Sequence, residues 1–227
     1  MTGTAPVGPT PRGARLLELV QVMDRLRSPG GCPWDAEQTH ETLAPYAVEE
    51  AHELADAIAS GDRAHLVEEL GDVLLQVVFH ARVGQEHPDT PFDVDDVAAG
   101  IIAKLERRHP HVFADTVVSG AADVEANWET IKAAEKPHRS GVLDGVPASL
   151  PALALAGKLA SRLERSGRGH LVADAADAAT DATGAPGEDL GAALLALVLQ
   201  ARARGIDPEQ ALRATVRDVA AAADRPT

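Results

Sequence analysis

The sequence predicts an all-α protein, and three observations carry that prediction. Apolar residues recur at the three- and four-residue spacing of amphipathic helices over most of the chain. Alternating β-branched runs that would mark strands are absent. Aromatic residues make up only 3% of a chain rich in alanine, the best helix former.

The first elements are read from breakers and apolar spacing. Residues 1–12 are rich in Pro, Gly and Thr and are predicted to be disordered. Leu16, Leu17, Leu19, Val20, Met23 and Leu26 predict a helix over Ala14 to Arg27. Ser28 to Asp35 is a loop by its prolines and glycines. Thr39 or His40 starts the next helix, with Pro45 expected in its first turn. The apolar face of this helix reads as Val48, Ala51, Leu54, Ala55 and Ile58, with Glu50 and Glu53 at its edge and Glu49 further round. Gly61-Asp62 separates it from a helix through Glu69. Pro88 to Pro91 forms a break, and Asp93 caps a helix running to His109. Asn127 to Glu135 is a short helix, 137–151 a turn-rich linker, Ala152 to Ser166 a helix and 167–188 a loose segment. Two helices, Leu190 to Arg204 and Pro208 to Ala223, complete the chain.

An internal repeat organises these elements. The segment from Glu68 to Val83 aligns with that from Glu188 to Ala203, with Leu70/Leu190, Gly71/Gly191, Leu74/Leu194, Leu75/Leu195, Val78/Val198 and Arg82/Arg202 identical. Asp189 stands opposite Glu69, but Ala192 stands opposite Asp72. The second copy keeps the packing residues and loses the chemistry. The expected organisation is therefore a disordered 1–12, a first domain over 13–136, a linker over 137–151 and a degenerate helical module over 152–227.

Two acidic pairs, Glu50-x-x-Glu53 and Glu69-x-x-Asp72, dominate the chemistry. Residues three apart share a helix face, so each pair aims two carboxylates at one point. The second pair lies in the stripe Glu69, Asp72, Gln76 and His80, flanked by Leu70, Val73, Leu74, Val77 and Val78 on one side and by Leu75 and Phe79 on the other. Carboxylates beside packed surface are costly unless neutralised, and a hard divalent cation such as Mg²⁺ prefers oxygen ligands. Downstream lies Lys104-Leu-Glu-Arg-Arg-His-Pro-His-Val-Phe113, in which Lys104 and Arg108 share a face and Arg107 adds a donor, followed by Asn127-Trp-Glu-Thr-Ile-Lys132. Ammonium and guanidinium groups suit phosphate oxygens. Acids followed by phosphate-type cations are the inventory of a metal-dependent phosphate enzyme.

Bulk properties narrow the classes. A net charge of −14 over 227 residues argues against a nucleic-acid polymer bound over a broad surface. One cysteine, Cys32, excludes an intrachain disulfide and a thiolate zinc site, which fits a reducing cytoplasm. Neither a secretory apolar region nor a membrane-spanning stretch is visible.

The loop Gly31-Cys-Pro-Trp-Asp-Ala-Glu-Gln-Thr39, the acids Glu49-Glu-x-x-Glu53 and Glu69-Leu-Gly-Asp72, and the two basic segments resemble, in order and spacing, the MazG family of nucleoside triphosphate pyrophosphohydrolases. The resemblance covers roughly residues 14 to 136. It implies a four-helix-bundle-like fold, a homodimer or higher homo-oligomer, and Mg²⁺-dependent cleavage of nucleoside triphosphates to monophosphate and pyrophosphate, with Mn²⁺ as a substitute ion. By resemblance, Glu50, Glu53, Glu69 and Asp72 hold the metal. Lys104, Arg107, Arg108 and Lys132 hold phosphates, with Lys104 and Arg108 counted in the catalytic set. Trp128 lies near the nucleotide, Trp34 and Gln38 border the pocket, and Glu49 or Glu50 is the general base. His65 replaces the basic residue that some members carry before the second acidic pair.

Two rivals exist. A ferritin-like di-iron protein would need Glu-x-x-His on two facing helices plus two further Glu; Glu37-x-x-His40 and Glu49-x-x-His52 match the motif, but Glu37 sits at a loop edge. A non-catalytic nucleotide sensor or helical scaffold fits the degenerate second module, but not the intact acids of the first.

Overall fold

The computed structural model describes residues 11–135, 141–177 and 189–224. Among them the secondary structure is helical throughout, with no strand. The disorder expected for 1–12 falls almost entirely outside the described residues, as do 137–140 of the linker and 178–188 of the second module. The chain divides into two compact units, Met1–Lys132 and Ala133–Thr227.

The first unit contains α1 (Ala14–Arg27), α2 (Pro33–Glu37), α3 (His40–Ser60), α4 (Arg63–Gly84), α5 (Val94–Arg108), α6 (Pro110–Phe113) and most of α7 (Ala121–Ala134). Its centre is the α3–α4 hairpin. Thr39 and Thr42 form a reciprocal capping box at the start of α3. Gly61, at φ 73°, ends it in the left-handed region that glycine adopts without strain. Asp62 then caps α4, its Oδ1 accepting from the Ala64 and His65 amides at 2.8 and 3.3 Å. Asp93 and Asp96 make a second capping box on α5. The core consists of Met23, Leu43, Val78 and Phe79, with Leu19, Val20, Leu75, Val83 and Val94 around it.

Four details differ from the sequence expectation. Pro45 is the sixth residue of α3, inside the helix rather than in its first turn, because the Thr39 cap starts the helix at His40. The buried face of α3 is not Val48, Ala51 and Ile58, which are exposed; it runs through Leu43, Ala47, Glu50, Leu54 and Ala57. That stripe steps by four and three residues against α4 and places Glu50 within the helix contact instead of at its edge. Short helices α2 and α6 occupy stretches that proline marks as breaks, each with proline in its first turn, where a missing amide costs nothing. Helix α7 begins at Ala121, six residues before the expected Asn127.

A buried arginine ties α1 to α2 and to the chain just past α4. Arg27, 6% exposed in its side chain, donates Nε and Nη2 to the two carboxylate oxygens of Glu86 at 3.0 and 2.8 Å, and Nη1 to the carbonyls of Asp35 and Gln38. The Arg27 guanidinium, with Arg82 adding to it, holds the Glu86 carboxyl below its ordinary range. A carboxylate with a depressed folded pKa contributes stability above its unfolded pKa and loses it as pH falls through the folded value. Glu86→Gln should therefore lower the melting temperature at pH 7, and the gap to wild type should narrow as the pH falls through the carboxylate range. A gap independent of pH would refute the charge-pair explanation.

The second unit contains α8 (Ala152–Arg165), α9 (His170–Asp177), α10 (Leu190–Ala203) and α11 (Pro208–Ala223). Helix α9 lies in the segment expected to be loose: Val172 and Ala176 give it a buried side that the surrounding Ala, Asp and Gly conceal in the sequence. Ala160, Leu163 and Val172 form the core with Val142, Leu159 and Leu199. Arg202 crosses from α10 to α8, donating to the Gly157 carbonyl at 3.0 Å and to Glu164 at 2.8 Å.

Candidate active site

Three carboxylates converge where α3 crosses α4. Glu50, Glu69 and Asp72 each bring an oxygen within 4.8 Å of the other two, forming a cluster suited to a metal ion. The i, i+3 spacing on α4 supplies Glu69 and Asp72, and the stripe of α3 that packs on α4 supplies Glu50. Ligand oxygens on one Mg²⁺ lie about 3 to 4.2 Å apart, a span that carboxylates gathered within 4.8 Å of one another can meet.

The electrostatics are those of an anionic site in need of a cation. Burial and then the neighbouring Asp72, Glu53, Glu69 and Glu49 push the Glu50 carboxyl above its ordinary pKa. Glu69 is buried, and its Oε2 lacks a hydrogen-bond partner. An unsatisfied buried carboxylate oxygen is costly, and a divalent ion removes both that cost and the mutual repulsion. The residues therefore fit a hard divalent cation. The other oxygen of Glu69 lies 3.0 Å from Nε2 of His65, one turn earlier on α4, which gives the buried acid a partner.

The remaining candidates are carried by α3, α4, α5 and α7. Glu53 and Glu49 are exposed on α3 and lie outside the three-acid cluster. The stripe of α4 continues differently than expected: His80 pairs with His40 across 2.8 Å between their Nδ1 atoms, and burial, then His40, lowers its pKa. Helix α5 packs against α4. Lys104 is exposed on it, Arg107 is exposed and directed at the Ala103 carbonyl, and Arg108 is buried. Arg108 and Lys104 share a helix side by spacing, yet Lys104 is exposed while the Arg108 guanidinium lies over the Trp128 ring of α7, 5.1 Å from its centroid. Lys132 belongs to α7, and its side chain lies outside the described residues.

Sequence reasoning missed Arg27, which reads as an ordinary basic residue at a helix end; only its burial reveals its structural role. In the second unit the counterpart of Glu69 has another task. Asp189 is the N-cap of α10, accepting from the Ala192 amide at 3.0 Å. Ala192, opposite Asp72, is buried. Ala192→Asp should accordingly lower the melting temperature by burying a carboxylate, without adding a metal-binding step in calorimetry. A new stoichiometric site would show that the second unit retains the necessary partners.

The chain is similar to known proteins. Residues 38–113 match the model of the MazG nucleotide pyrophosphohydrolase domain. The chain is 52% identical over 215 residues to a protein of Streptomyces cacaoi described as an uncharacterized 26.1 kDa protein in the blaB 3' region, covering 93% of this chain and 84% of that one. It is 49% identical over 152 residues to the nucleoside triphosphate pyrophosphohydrolase of Escherichia coli K12, covering 66% of this chain and 57% of that protein. It is 47% identical over 164 residues to the protein of the same name from Mycobacterium tuberculosis, covering 72% and 49%. The chain thus spans about half the length of the two named pyrophosphohydrolases.

Proposed function

The chain belongs to the MazG nucleotide pyrophosphohydrolase family, and on that premise we propose that it is a Mg²⁺-dependent hydrolase that cleaves nucleoside triphosphates between the α and β phosphates, releasing monophosphate and pyrophosphate. The observation that carries the proposal is the carboxylate triad Glu50, Glu69 and Asp72, with its buried, unpartnered oxygen.

In this reading the triad holds Mg²⁺, Mn²⁺ can replace it, and Glu53 joins from the next turn of α3. The ion supplies charge neutralisation on the polyphosphate and lowers the pKa of water. Arg108, braced by Trp128, and the exposed Lys104 bind phosphate oxygens, with Arg107 and Lys132 alongside. The general base is Glu49 or Glu50: Glu49 is exposed beside the triad on α3, and Glu50 lies within it. Attack at the α phosphorus breaks the α–β bridge, so pyrophosphate leaves intact.

The first unit carries all of these groups. The second unit has Ala192 where the first has Asp72 and uses Asp189 as a helix cap. No helix among the described residues is long and apolar enough to cross a membrane, and the reading places the protein in the cytoplasm, acting on nucleotides. Val77, Val97, Ile101, Ile102 and Leu105 are exposed on α4 and α5. Apolar surface of this kind supports assembly with a second copy.

Product analysis tests the proposal. A mixed panel of nucleoside triphosphates with Mg²⁺ should give monophosphate and pyrophosphate in equal amounts. Diphosphate and orthophosphate would mean attack at the γ phosphorus and would sink the assignment. Binding without any turnover would favour the non-catalytic sensor.

A further inference from the structure

We propose that Trp34 and Tyr46 form an aromatic platform on which the nucleobase of the substrate stacks. This rests on the nucleotide reading above and extends it to residues that the carboxylate and phosphate chemistry leaves unused.

Trp34 is 50% exposed and Tyr46 is 41% exposed, although large aromatic rings stabilise a fold most when covered. Their rings meet edge to face, centroids 6.1 Å apart at 74°. Beneath them Phe79, a buried core residue, meets Trp34 at 6.4 Å and 65°. Tyr46 precedes Glu50 by one turn on the same side of α3, about 6 Å along the axis. A ribose bridges a comparable span between a base and the α phosphate held at the carboxylates.

Hydrogen bonds from buried side chains fix the backbone that carries Trp34. Gly31 lies so close to the end of α1 that a Cβ there would overlap the Leu26 carbonyl oxygen, and the Cys32 amide donates to that same oxygen at 2.7 Å. Gln38, itself buried, donates Nε2 to the Trp34 carbonyl at 2.9 Å and accepts from the Thr42 hydroxyl at 2.8 Å. Arg27, held by Glu86, donates to the Asp35 and Gln38 carbonyls. Two buried polar side chains are thus committed to the backbone of a five-residue helix whose most prominent side chain faces solvent. A stacking surface requires the indole rigid and half-covered, and stacking accepts any base because every base has a π face.

The test uses the full chain and two variants, Trp34→Leu and Trp34→Phe, with melting curves confirming that each is folded. Nucleoside triphosphates are compared with inorganic tripolyphosphate, which has the phosphates and no base, in the presence of Mg²⁺. Loss of a base stack corresponds to about five- to 150-fold in affinity. Trp34→Leu should raise KM and the calorimetric Kd for each nucleoside triphosphate at least about five-fold, with kcat little changed. Trp34→Phe should recover most of that loss, and Kd for tripolyphosphate should stay within about two-fold of wild type in both variants. Equal weakening of nucleotide and tripolyphosphate, unchanged nucleotide affinity, or a change of oligomeric state in place of a change in affinity would each overturn the platform. If wild type binds nucleotides but does not hydrolyse them, the enzymatic reading fails and the Kd comparison still decides the platform. Wild type that binds neither ligand overturns both.

Discussion

Asp72→Asn abolishes turnover while leaving the helices folded: this is the largest expected effect. Asparagine keeps the size of the side chain and removes one anionic oxygen from a cluster whose three acids lie within 4.8 Å of one another. Changing groups that merely orient metal ligands costs about 10- to 100-fold in affinity or activity, so loss of a direct ligand should exceed about 100-fold in kcat/KM. The stability change should have the opposite sign. Without metal, Asp72 raises the pKa of Glu50 by repulsion, and its neutralisation relieves that strain. The melting temperature of the metal-free variant should equal or exceed that of metal-free wild type, and the upward shift on adding Mg²⁺ should vanish. A variant that melts lower without metal and retains the Mg²⁺ shift would show that Asp72 serves packing instead.

Arg108→Ala is the second large effect. Arg108 is 8% exposed and its guanidinium lies over Trp128, a pre-organised arrangement for gripping phosphate. Loss of a charged hydrogen bond costs about 1.5–3 kcal/mol, or about ten- to 150-fold in kcat/KM. Metal affinity should be unaffected, because Arg108 lies outside the carboxylate cluster. Arg108→Lys separates charge from packing: lysine keeps the cation and loses the planar stack, so it should recover part of the substrate binding. Parallel loss of Mg²⁺ binding in Arg108→Ala would remove the proposed division of labour between acids and cations.

Much of the first unit was legible because its signals are local. Gly61-Asp62 and the Asp93 cap are consequences of backbone amides that must be satisfied at helix ends, and they stand in the sequence as the structure shows them. The i, i+3 spacing of Glu69 and Asp72 likewise survives into the cluster. What the sequence did not disclose is tertiary. The side of α3 that faces α4 was misread because Val48 and Ile58 are apolar but exposed; the true contact includes Glu50, a charged residue that hydrophobic patterning assigns to the edge. Glu50 and Glu53 look equivalent in E-x-x-E, and only the crossing of α3 with α4 distinguishes the inward residue from the exposed one. Helix α9 hid in an Ala- and Asp-rich stretch for the same reason: its burial depends on neighbours far along the chain.

The central claim, that the carboxylates at the α3–α4 contact form a divalent-cation site serving triphosphate hydrolysis, is tested most directly by turnover as a function of free Mg²⁺. The account predicts no turnover in chelator, saturable recovery as Mg²⁺ is added back to the same sample, and no recovery in Asp72→Asn at any concentration. Turnover that persists unchanged in chelator, or Mg²⁺ activation retained by Asp72→Asn, would contradict it.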